Sequence, residues 1–334
     1  MTTAICSILH FFVDFTCAWA MFGRFAGKYE FFLLYNFCAF ALQMPLGAWM
    51  DLLRGKHPKL PSICAALGIA LTAAGALTHP AVLGLGNALF HVGGGMAVME
   101  SDFARRSRGR ELGIFVAPGA LGLYAGTALG KKYTDLLILA ILALLMLLLT
   151  WKLCRQNPVP QQEKNQKTSV HTVFLCLACF LVVILRSWVG MAVTFAWKAT
   201  AAFTALSVFA AALGKLSGGF LASRFGIRST VTATLLLSAA CYLLGDSPLF
   251  GLAAIFFFNM TMPITLYLLV GEIPNLRGFG FGLLTFGLFL GFLPVYARFA
   301  LPVSGSLFGA AGSITSCILL VIAGKVAEHD PIPA

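Results

Sequence analysis

The sequence predicts an all-α membrane protein with 12 transmembrane helices, arranged as two pseudo-symmetric six-helix bundles. Three observations support this prediction. First, 59% of the 334 residues are hydrophobic and only 10% are charged, whereas an average soluble domain has about 25% charged residues. Second, the apolar residues form twelve runs, each near the roughly 20 residues that a helix needs to cross a bilayer. Third, several uncommon residues recur at one fixed spacing in both halves of the chain.

The twelve apolar runs are separated by charged residues and by clusters of Pro and Gly, and they leave no room for a soluble domain. The predicted spans are 4–23, 30–53, 60–78, 81–101, 111–130, 134–153, 171–197, 200–222, 229–245, 248–271, 279–299 and 303–325. The longest polar stretch begins at Cys154 and falls near the middle of the chain. It predicts a cytoplasmic linker at 154–170 between an N-terminal six-helix bundle, 1–153, and a C-terminal six-helix bundle, 171–334.

The first span has no basic residues before it and no small-residue cleavage site, so we predict a retained helix rather than a signal peptide. If the N-terminus lies in the cytoplasm, most Lys and Arg residues fall in segments on the cytoplasmic side of the membrane. The loop containing Arg105 and Arg110 is one of these segments. This bias predicts a multi-pass protein of the plasma (inner) membrane with both termini in the cytoplasm. The net charge of +11 comes from these loops, so no nucleic-acid partner is expected.

The sequence contains no pattern typical of an enzyme, a cofactor site or a metal centre. It has no phosphate-binding G-x-x-x-x-G-K-[ST] string and no H-E-x-x-H or G-x-S-x-G motif. Most of its nine cysteines lie inside apolar runs, where we expect free thiols. Cys176 and Cys179 are soft donors of the kind that transition metals prefer, but no second CxxC or His-rich loop accompanies them. We therefore expect no enzyme activity, no cofactor and no bound metal, and we disfavour metal-ion export.

The two halves repeat with an offset of 172 residues. This offset superimposes Gly47 on Gly219, Asn87 on Asn259, Glu100 on Glu272, Arg105 on Arg277, and Gly119 on Gly291. Asn, Glu and Arg are rare in this chain, so they are harder to match by chance than Gly or Leu. A parallel repeat of six-helix halves is a known plan of secondary transporters, in which the halves move around a central site.

Two short motifs at matching positions resemble the signature of the major facilitator superfamily. The first reads Gly47-Ala-Trp-Met-Asp51, with Arg54 following, and the second reads Gly219-Phe-Leu-Ala-Ser223-Arg224-Phe-Gly226-Ile-Arg228. The first copy lacks the Arg directly after the acid, and the second has Ser in place of the acid. The resemblance implies the major facilitator fold and a cytoplasmic gate that involves Asp51, Arg54, Ser223 and Arg224.

A narrower resemblance is to the fosmidomycin-resistance-like efflux branch of that superfamily. It rests on His10-Phe-Phe-Val-Asp14, Gly84-Leu-Gly-Asn87-Ala-Leu-Phe90-His91, Leu185-Arg186-Ser-Trp, and Glu272-Ile-Pro274 followed by Arg277-Gly278. Val92 and Gly93 replace the Pro-Glu that commonly follows the His of the fourth helix. The resemblance implies a central cavity between helices 1, 4, 7 and 10, and it favours efflux.

Asp14 and Arg186 are the strongest candidates for a functional charge pair. Both lie inside apolar spans, where ionisable residues are costly and usually functional, and the 172-residue offset relates them. We expect the two groups to bind substrate, to carry a proton, or both. A static salt bridge between the two halves, without transport chemistry, is the alternative.

Further candidates for substrate or proton binding lie near these two residues in the predicted helices. His10 precedes Asp14 by one helical turn, so the two share a face, and a His beside a carboxylate can relay protons near neutral pH. The other candidates are His91, Asn87, Asn259, Asn36 and Tyr267. Each of these side chains could instead serve helix packing or hydrogen bonding between helices.

Glu100 and Glu272 lie near the inner ends of their spans, each five residues before Arg105 or Arg277. We interpret these four residues as gate salt bridges, with proton transfer by the two Glu residues as the alternative. Pro263 should kink the tenth span because it frees a backbone carbonyl.

Together these features predict a proton-coupled secondary transporter that moves a small polar or amphipathic organic solute by alternating access, with efflux favoured. Its expected partners are a small-molecule substrate, protons and the lipid bilayer, and we expect a monomer. Two alternatives stay open at this point: an uptake permease of the same fold, and a non-transport membrane module such as a lipid scramblase.

Overall fold

A computed structural model describes residues 1–156, 169–301 and 303–328, with side chains to residue 324. Most of the predicted linker, residues 157–168, therefore lies outside the described residues. The described chain is helical and contains no strand. Its membrane helices are α1 (Thr2–Arg24), α2 (Tyr29–Arg54), α3 (Leu60–Leu77), α4 (Pro80–Ala104), α5 (Arg110–Gly130), α6 (Leu136–Cys154), α7 (Val170–Ala192), α8 (Ala201–Phe225), α9 (Ile227–Leu243), α10 (Pro248–Glu272), α11 (Arg277–Tyr296) and α12 (Gly305–Glu328).

These helices confirm the predicted fold class. Eleven helical segments in the described part of the chain are long and apolar enough to cross a membrane, and α9 is a shorter apolar helix. Each coincides with one of the twelve predicted spans, with shifts of a few residues at the ends. The membrane sides that the loops and termini face stay a prediction.

Among the described helices, three contain an irregular turn or a break, and those of α2 and α10 lie within predicted spans. The last turn of α1, Ala20–Arg24, is a π-helix, and a second π-helical turn, Phe37–Ala41, lies in the middle of α2. Helix α10 consists of Pro248–Asn259 and Thr261–Glu272, with a break at Met260. Pro263 has no N–H to donate to the carbonyl of Asn259, which explains why the helix breaks there.

The chain divides into two compact units. Unit 1 comprises residues 1–107, 114–162 and 275–286, and unit 2 comprises 108–113, 163–274 and 287–334. The start of α5 thus packs with unit 2, and the start of α11 packs with unit 1. The domain boundaries predicted from the sequence lack these two exchanged segments and stay a prediction.

Glycines set the close packing inside unit 1. On α5, a Cβ added at Gly122, Gly126 or Gly130 would overlap the α1 backbone at Phe11, Phe15 or Trp19. Helix α3 packs on α4 in the same way, through glycines on both helices. Such small-residue contacts let membrane helices approach closely, which matters because lipid leaves little hydrophobic force between helices. As a result, α4 is the most buried of the candidate spans.

Glycines also set the close packing of helices inside unit 2. Gly214 and Gly218 of α8 lie against the backbone of α10 at Phe256 and Met260. Gly291 of α11 faces the α7 backbone at Ile184 and the side chain of Ser187. Its counterpart in the repeat, Gly119 of α5, faces the side chains of His10 and Asp14 on α1 instead.

Candidate functional site

Four polar side chains meet inside unit 1, between α1, α4 and α5, and we call them the polar cluster. They are His10 and Asp14 of α1 and Asn87 and His91 of α4. His10, Asn87 and His91 are 6%, 2% and 8% exposed, and the Asp14 side chain is 20% exposed. The i,i+4 spacing on each helix places each pair on one face, and the close approach of α1 and α4 brings the two pairs together.

The distances within the polar cluster are short. His10 Nε2 lies 3.2 Å from Asp14 Oδ2, and His91 Nε2 lies 3.6 Å from Asp14 Oδ1. The two Nε2 atoms are 2.9 Å apart. Asn87 Nδ2 donates to Asp14 Oδ1 over 3.2 Å, which holds the carboxylate toward the two imidazoles.

Backbone carbonyls determine the protonation pattern of both imidazole rings. His10 Nδ1 lies 2.8 Å from the carbonyl oxygen of Phe115, and His91 Nδ1 lies 2.8 Å from that of Asn87. Since a carbonyl oxygen only accepts, both Nδ1 atoms must donate their hydrogens. In neutral rings each Nε2 is then an acceptor. The lone pairs of the two Nε2 atoms and the carboxylate of Asp14 therefore face one another. This arrangement requires a cation among the three groups, and a proton is the smallest one that satisfies it.

The surroundings of the polar cluster strengthen its electrostatic interactions. The ring of Phe115 lies 4.7 Å from the ring of His10, and Phe90 packs at 5.4 Å from His91. Such apolar walls lower the effective dielectric constant. Two further polar groups adjoin the cluster: Cys17, whose sulfur lies 3.5 Å from Asn87 Nδ2, and Tyr35, which is hydrogen-bonded to Cys17.

Gly119 of α5 packs directly against the polar cluster. A Cβ at this position would overlap His10 Nε2 and lie 2.7 Å from Asp14 Oδ2. The missing side chain therefore allows the α5 backbone to approach the imidazole and the carboxylate this closely.

Arg186 lies in unit 2 on α7 and is 7% exposed. Its Nη1 donates to Thr265 Oγ1 of α10 over 3.5 Å, and Cys179 lies within electrostatic range on the same helix. A buried guanidinium with one long hydrogen bond has donors left for an anionic ligand. The predicted pairing of Arg186 with Asp14 stays a prediction.

The two repeated asparagines have different partners. Asn87 donates from α4 to Asp14 on α1, whereas Asn259 donates to the carbonyl of Ile255 in its own helix over 2.8 Å. Asn36 likewise donates within its own helix, to Phe32 over 2.7 Å. Tyr267 of α10 lies next to Gly109. The substrate-binding roles of Asn259, Asn36 and Tyr267 stay predictions.

Asp51 joins α2 to the start of α11 within unit 1. Its carboxylate accepts hydrogen bonds from the backbone N–H groups of Gly278, at 3.0 Å, and Phe279, at 2.8 Å. These are unpaired first-turn donors of a helix, where a negative charge is also favoured by the helix dipole. Gly47, one turn before Asp51, allows this contact because a Cβ there would overlap Gly278.

The other predicted gate residues lie around the same helix ends. Arg54 Nη1 and Glu100 Oε1 form a buried ion pair at 3.0 Å. The Arg277 guanidinium lies 4.1 Å from the centre of the Phe103 ring, and Arg105 follows the last residue of α4. In unit 2, Glu272 lies 4.0 Å from His171. Ser223 and Arg224 line a surface cavity at the end of α8. The gating role of these residues stays a prediction.

Replacing Asp51 with Ala is expected to lower the free energy of unfolding by about 0.5–2 kcal/mol, since two helix N–H groups lose their acceptor. The measurement is thermal unfolding of the purified protein in detergent. Asp135→Ala is the matched control, because Asp135 precedes α6 but makes no capping hydrogen bond. Equal losses in the two variants would show that the contact with α11 adds no stability.

Sequence reasoning missed several residues of this site. Gly119, the carbonyl of Phe115 and the thiol of Cys17 were not candidates, nor was His171 as a neighbour of Glu272. The spacing of Gly119, Gly122, Gly126 and Gly130 at three or four residues was a usable signal for a helix face in close contact. The carbonyl of Phe115 left no signal, because any residue supplies one.

Comparison with solved structures shows the same fold over the whole chain. The Escherichia coli fucose:proton symporter FucP matches with a TM-score of 0.69 and 13% identity, covering 97% of this chain and 98% of that one. A bacterial homologue of the iron transporter ferroportin matches with a TM-score of 0.54 and 15% identity, covering 98% and 99%. The human organic anion transporter MFSD10 matches with a TM-score of 0.55 and 16% identity, covering 98% and 97%. The FucP structure is described as a major facilitator superfamily transporter, so the chain has the major facilitator fold. No protein-family profile and no curated protein sequence matches the chain.

Proposed function

We propose that this protein is a proton-coupled secondary transporter that moves a small polar or amphipathic organic solute across the plasma (inner) membrane by alternating access. The observation that carries this proposal is the polar cluster, in which three acceptor groups converge in a buried site and need a cation. The major facilitator fold supports it, because FucP, a structural neighbour, is named as a proton symporter.

The polar cluster can couple proton binding to a change of conformation. The proton sits between α1 and α4, shared by His10, His91 and Asp14, and its loss leaves lone pairs and a negative charge opposed. The proton-loaded and empty states then favour different arrangements of these helices. Such a difference in stability is what shifts the population between inward-facing and outward-facing states.

Arg186 is the proposed binding group for an anionic part of the substrate. Its guanidinium is buried on α7, and it can hold a carboxylate or phosphonate with two parallel hydrogen bonds. One structural neighbour, MFSD10, is named as an organic anion transporter. We assign efflux as the direction on the resemblance of the motifs around Asp14, His91 and Arg186 to the fosmidomycin-resistance-like branch.

The proposal is tested with the purified protein in liposomes. A thermal-shift screen of metabolites and drugs first identifies a ligand, because a specific ligand raises the unfolding temperature. Flux of that ligand is then measured with and without an imposed pH gradient. We expect a pH gradient to drive accumulation against the concentration gradient, and to do so outward from the side that corresponds to the cytoplasm.

Other outcomes favour the alternatives. Accumulation in the opposite direction identifies an uptake permease of the same fold. Lipid exchange between leaflets without any solute flux, and without a response to pH, identifies a scramblase and overturns the proposed transport.

A further inference from the structure

The polar cluster has the composition and geometry of a metal site. His10, Asp14 and His91 each offer one ligand atom, and these atoms all lie within 4.8 Å of one another. Two imidazoles and one carboxylate with open positions are a ligand set that divalent first-row transition metals take in proteins. Two nitrogen ligands out of three make the site unlike those of Ca²⁺ and Mg²⁺, which are built from oxygen.

Hydrogen bonds from neighbouring groups already orient the three ligand residues as a metal requires. Ligating histidines almost always donate the other ring N–H to a backbone carbonyl or a carboxylate. Here His10 donates to Phe115 and His91 donates to Asn87, each over 2.8 Å. Both Nε2 lone pairs are thereby turned toward Asp14. The carboxylate itself is held by Asn87, so each of the three ligands is oriented by a hydrogen bond.

The distances between ligand atoms also suit one shared ion. For bonds of about 2.1 Å and angles between 90° and 120°, neighbouring ligand atoms lie about 3.0–3.6 Å apart. The observed separations are 2.9 Å between the two Nε2 atoms, 3.2 Å from His10 Nε2 to Asp14 Oδ2, and 3.6 Å from His91 Nε2 to Asp14 Oδ1. Each imidazole is close to a different oxygen of Asp14, so one ion between the three side chains would take either one or both carboxylate oxygens.

The surroundings of the site also bear on metal binding. The α5 backbone at Gly119 covers one side, where an added Cβ would overlap His10 Nε2. Asn87 Oδ1 is buried and has no hydrogen-bond partner among the described residues. The Asp14 side chain is 20% exposed, which makes the carboxylate the most accessible of the three ligands.

We propose that His10, Asp14 and His91 bind one divalent first-row transition metal ion as a facial three-residue site. The ion bridges α1 and α4, and water or another ligand completes its coordination. This inference concerns the same cluster as the proposed function but does not depend on proton coupling. From the sequence we expect no bound metal anywhere in the chain, and this proposal departs from that expectation.

The test is binding of Co²⁺ to the purified full-length protein in detergent, at a fixed pH above the ordinary histidine pKa of about 6.5. Calorimetry gives the stoichiometry and the affinity, and visible absorption reports the coordination of the ion. We expect one Co²⁺ per chain. His10→Ala and His91→Ala should each weaken binding by more than about 100-fold, and Asn87→Leu, which removes the group that orients the carboxylate, by about 10- to 100-fold.

Matched controls separate this site from adventitious binding. His57→Ala and His79→Ala remove exposed histidines and should leave the affinity unchanged. Gly119→Ala should abolish binding while keeping every ligand residue, because the added Cβ would overlap His10 Nε2. Gly94→Ala, where an added Cβ meets only ordinary contacts at 3.6 Å or more, should not change it.

If a variant fails to fold, measurements on the wild-type protein still test the inference. X-ray absorption of its Co²⁺ complex should show two imidazole ligands, and no bound ion or no imidazole ligand contradicts the site. Loss of binding in the His57 or His79 variant contradicts it too. If the protein binds no Co²⁺ but accumulates substrate in response to a pH gradient, only this inference is wrong. If it binds Co²⁺ but shows no pH-driven flux, only the proposed proton coupling is wrong.

Discussion

Replacing Asp14 with Asn is expected to abolish the accumulation of substrate that a pH gradient drives. The Asn side chain keeps an oxygen that can accept from Asn87, so the hydrogen bond at 3.2 Å can persist and the helices can stay packed. It has no negative charge to stabilise a proton shared with His10 and His91. The variant should therefore exchange substrate between the two sides of the membrane without concentrating it.

Two comparisons make the Asp14 result decisive. Asp246→Asn is the matched control, since Asp246 lies exposed in the loop between α9 and α10 and its replacement should leave coupled flux unchanged. Thermal unfolding of Asp14→Asn should resemble that of the wild type. Undiminished pH-driven accumulation in the folded variant would remove Asp14 from the coupling mechanism.

Replacing Arg186 with Ala is expected to weaken substrate binding by roughly 10- to 100-fold, with a smaller effect on stability. A hydrogen bond to a charged group contributes about 1.5–3 kcal/mol, and each 1.4 kcal/mol is a factor of ten in affinity. The guanidinium donates to the hydroxyl of Thr265 over a long 3.5 Å, so little folding energy depends on that contact. The measurement is ligand affinity by thermal shift or calorimetry, beside the unfolding temperature without ligand.

Arg186→Lys distinguishes charge from geometry. Lys keeps the positive charge but cannot form two parallel hydrogen bonds with a carboxylate or phosphonate. We expect its affinity to fall between those of the wild type and Arg186→Ala. A large loss of stability in Arg186→Ala, with affinity per folded molecule unchanged, would identify Arg186 as a structural residue.

The architecture was predictable because lipid imposes a simple rule on the sequence. A helix must cross the hydrocarbon with about 20 apolar residues, since no backbone polar group can remain unpaired there. Even α9, which is shorter than the other spans, was predicted at 229–245 and is observed as Ile227–Leu243. The break in α10 near Pro263 follows from local chemistry in the same way.

Part of the polar cluster was also predictable from local spacing. The i,i+4 relation placed His10 on the same helix face as Asp14. The partners of the gate residues were not predictable in this way. Glu100 pairs with Arg54 of α2, although Arg105 is close to Glu100 in sequence. A salt bridge between helices depends on how the helices cross, and spacing within one helix carries no information about that.

The chain's own order of residues determined that it is a membrane protein, where its helices lie, and which charged side chains are buried in them, because these properties depend on local hydrophobicity and helix periodicity. Only the tertiary structure decided that the imidazoles of α1 and α4 meet across Asp14, and that the α5 backbone at Gly119 packs against them. It also showed that Asn87 donates a hydrogen bond to another helix, whereas Asn259 donates one within its own helix. These contacts depend on the approach of whole helices, which is the sum of many small packing interactions far apart in sequence.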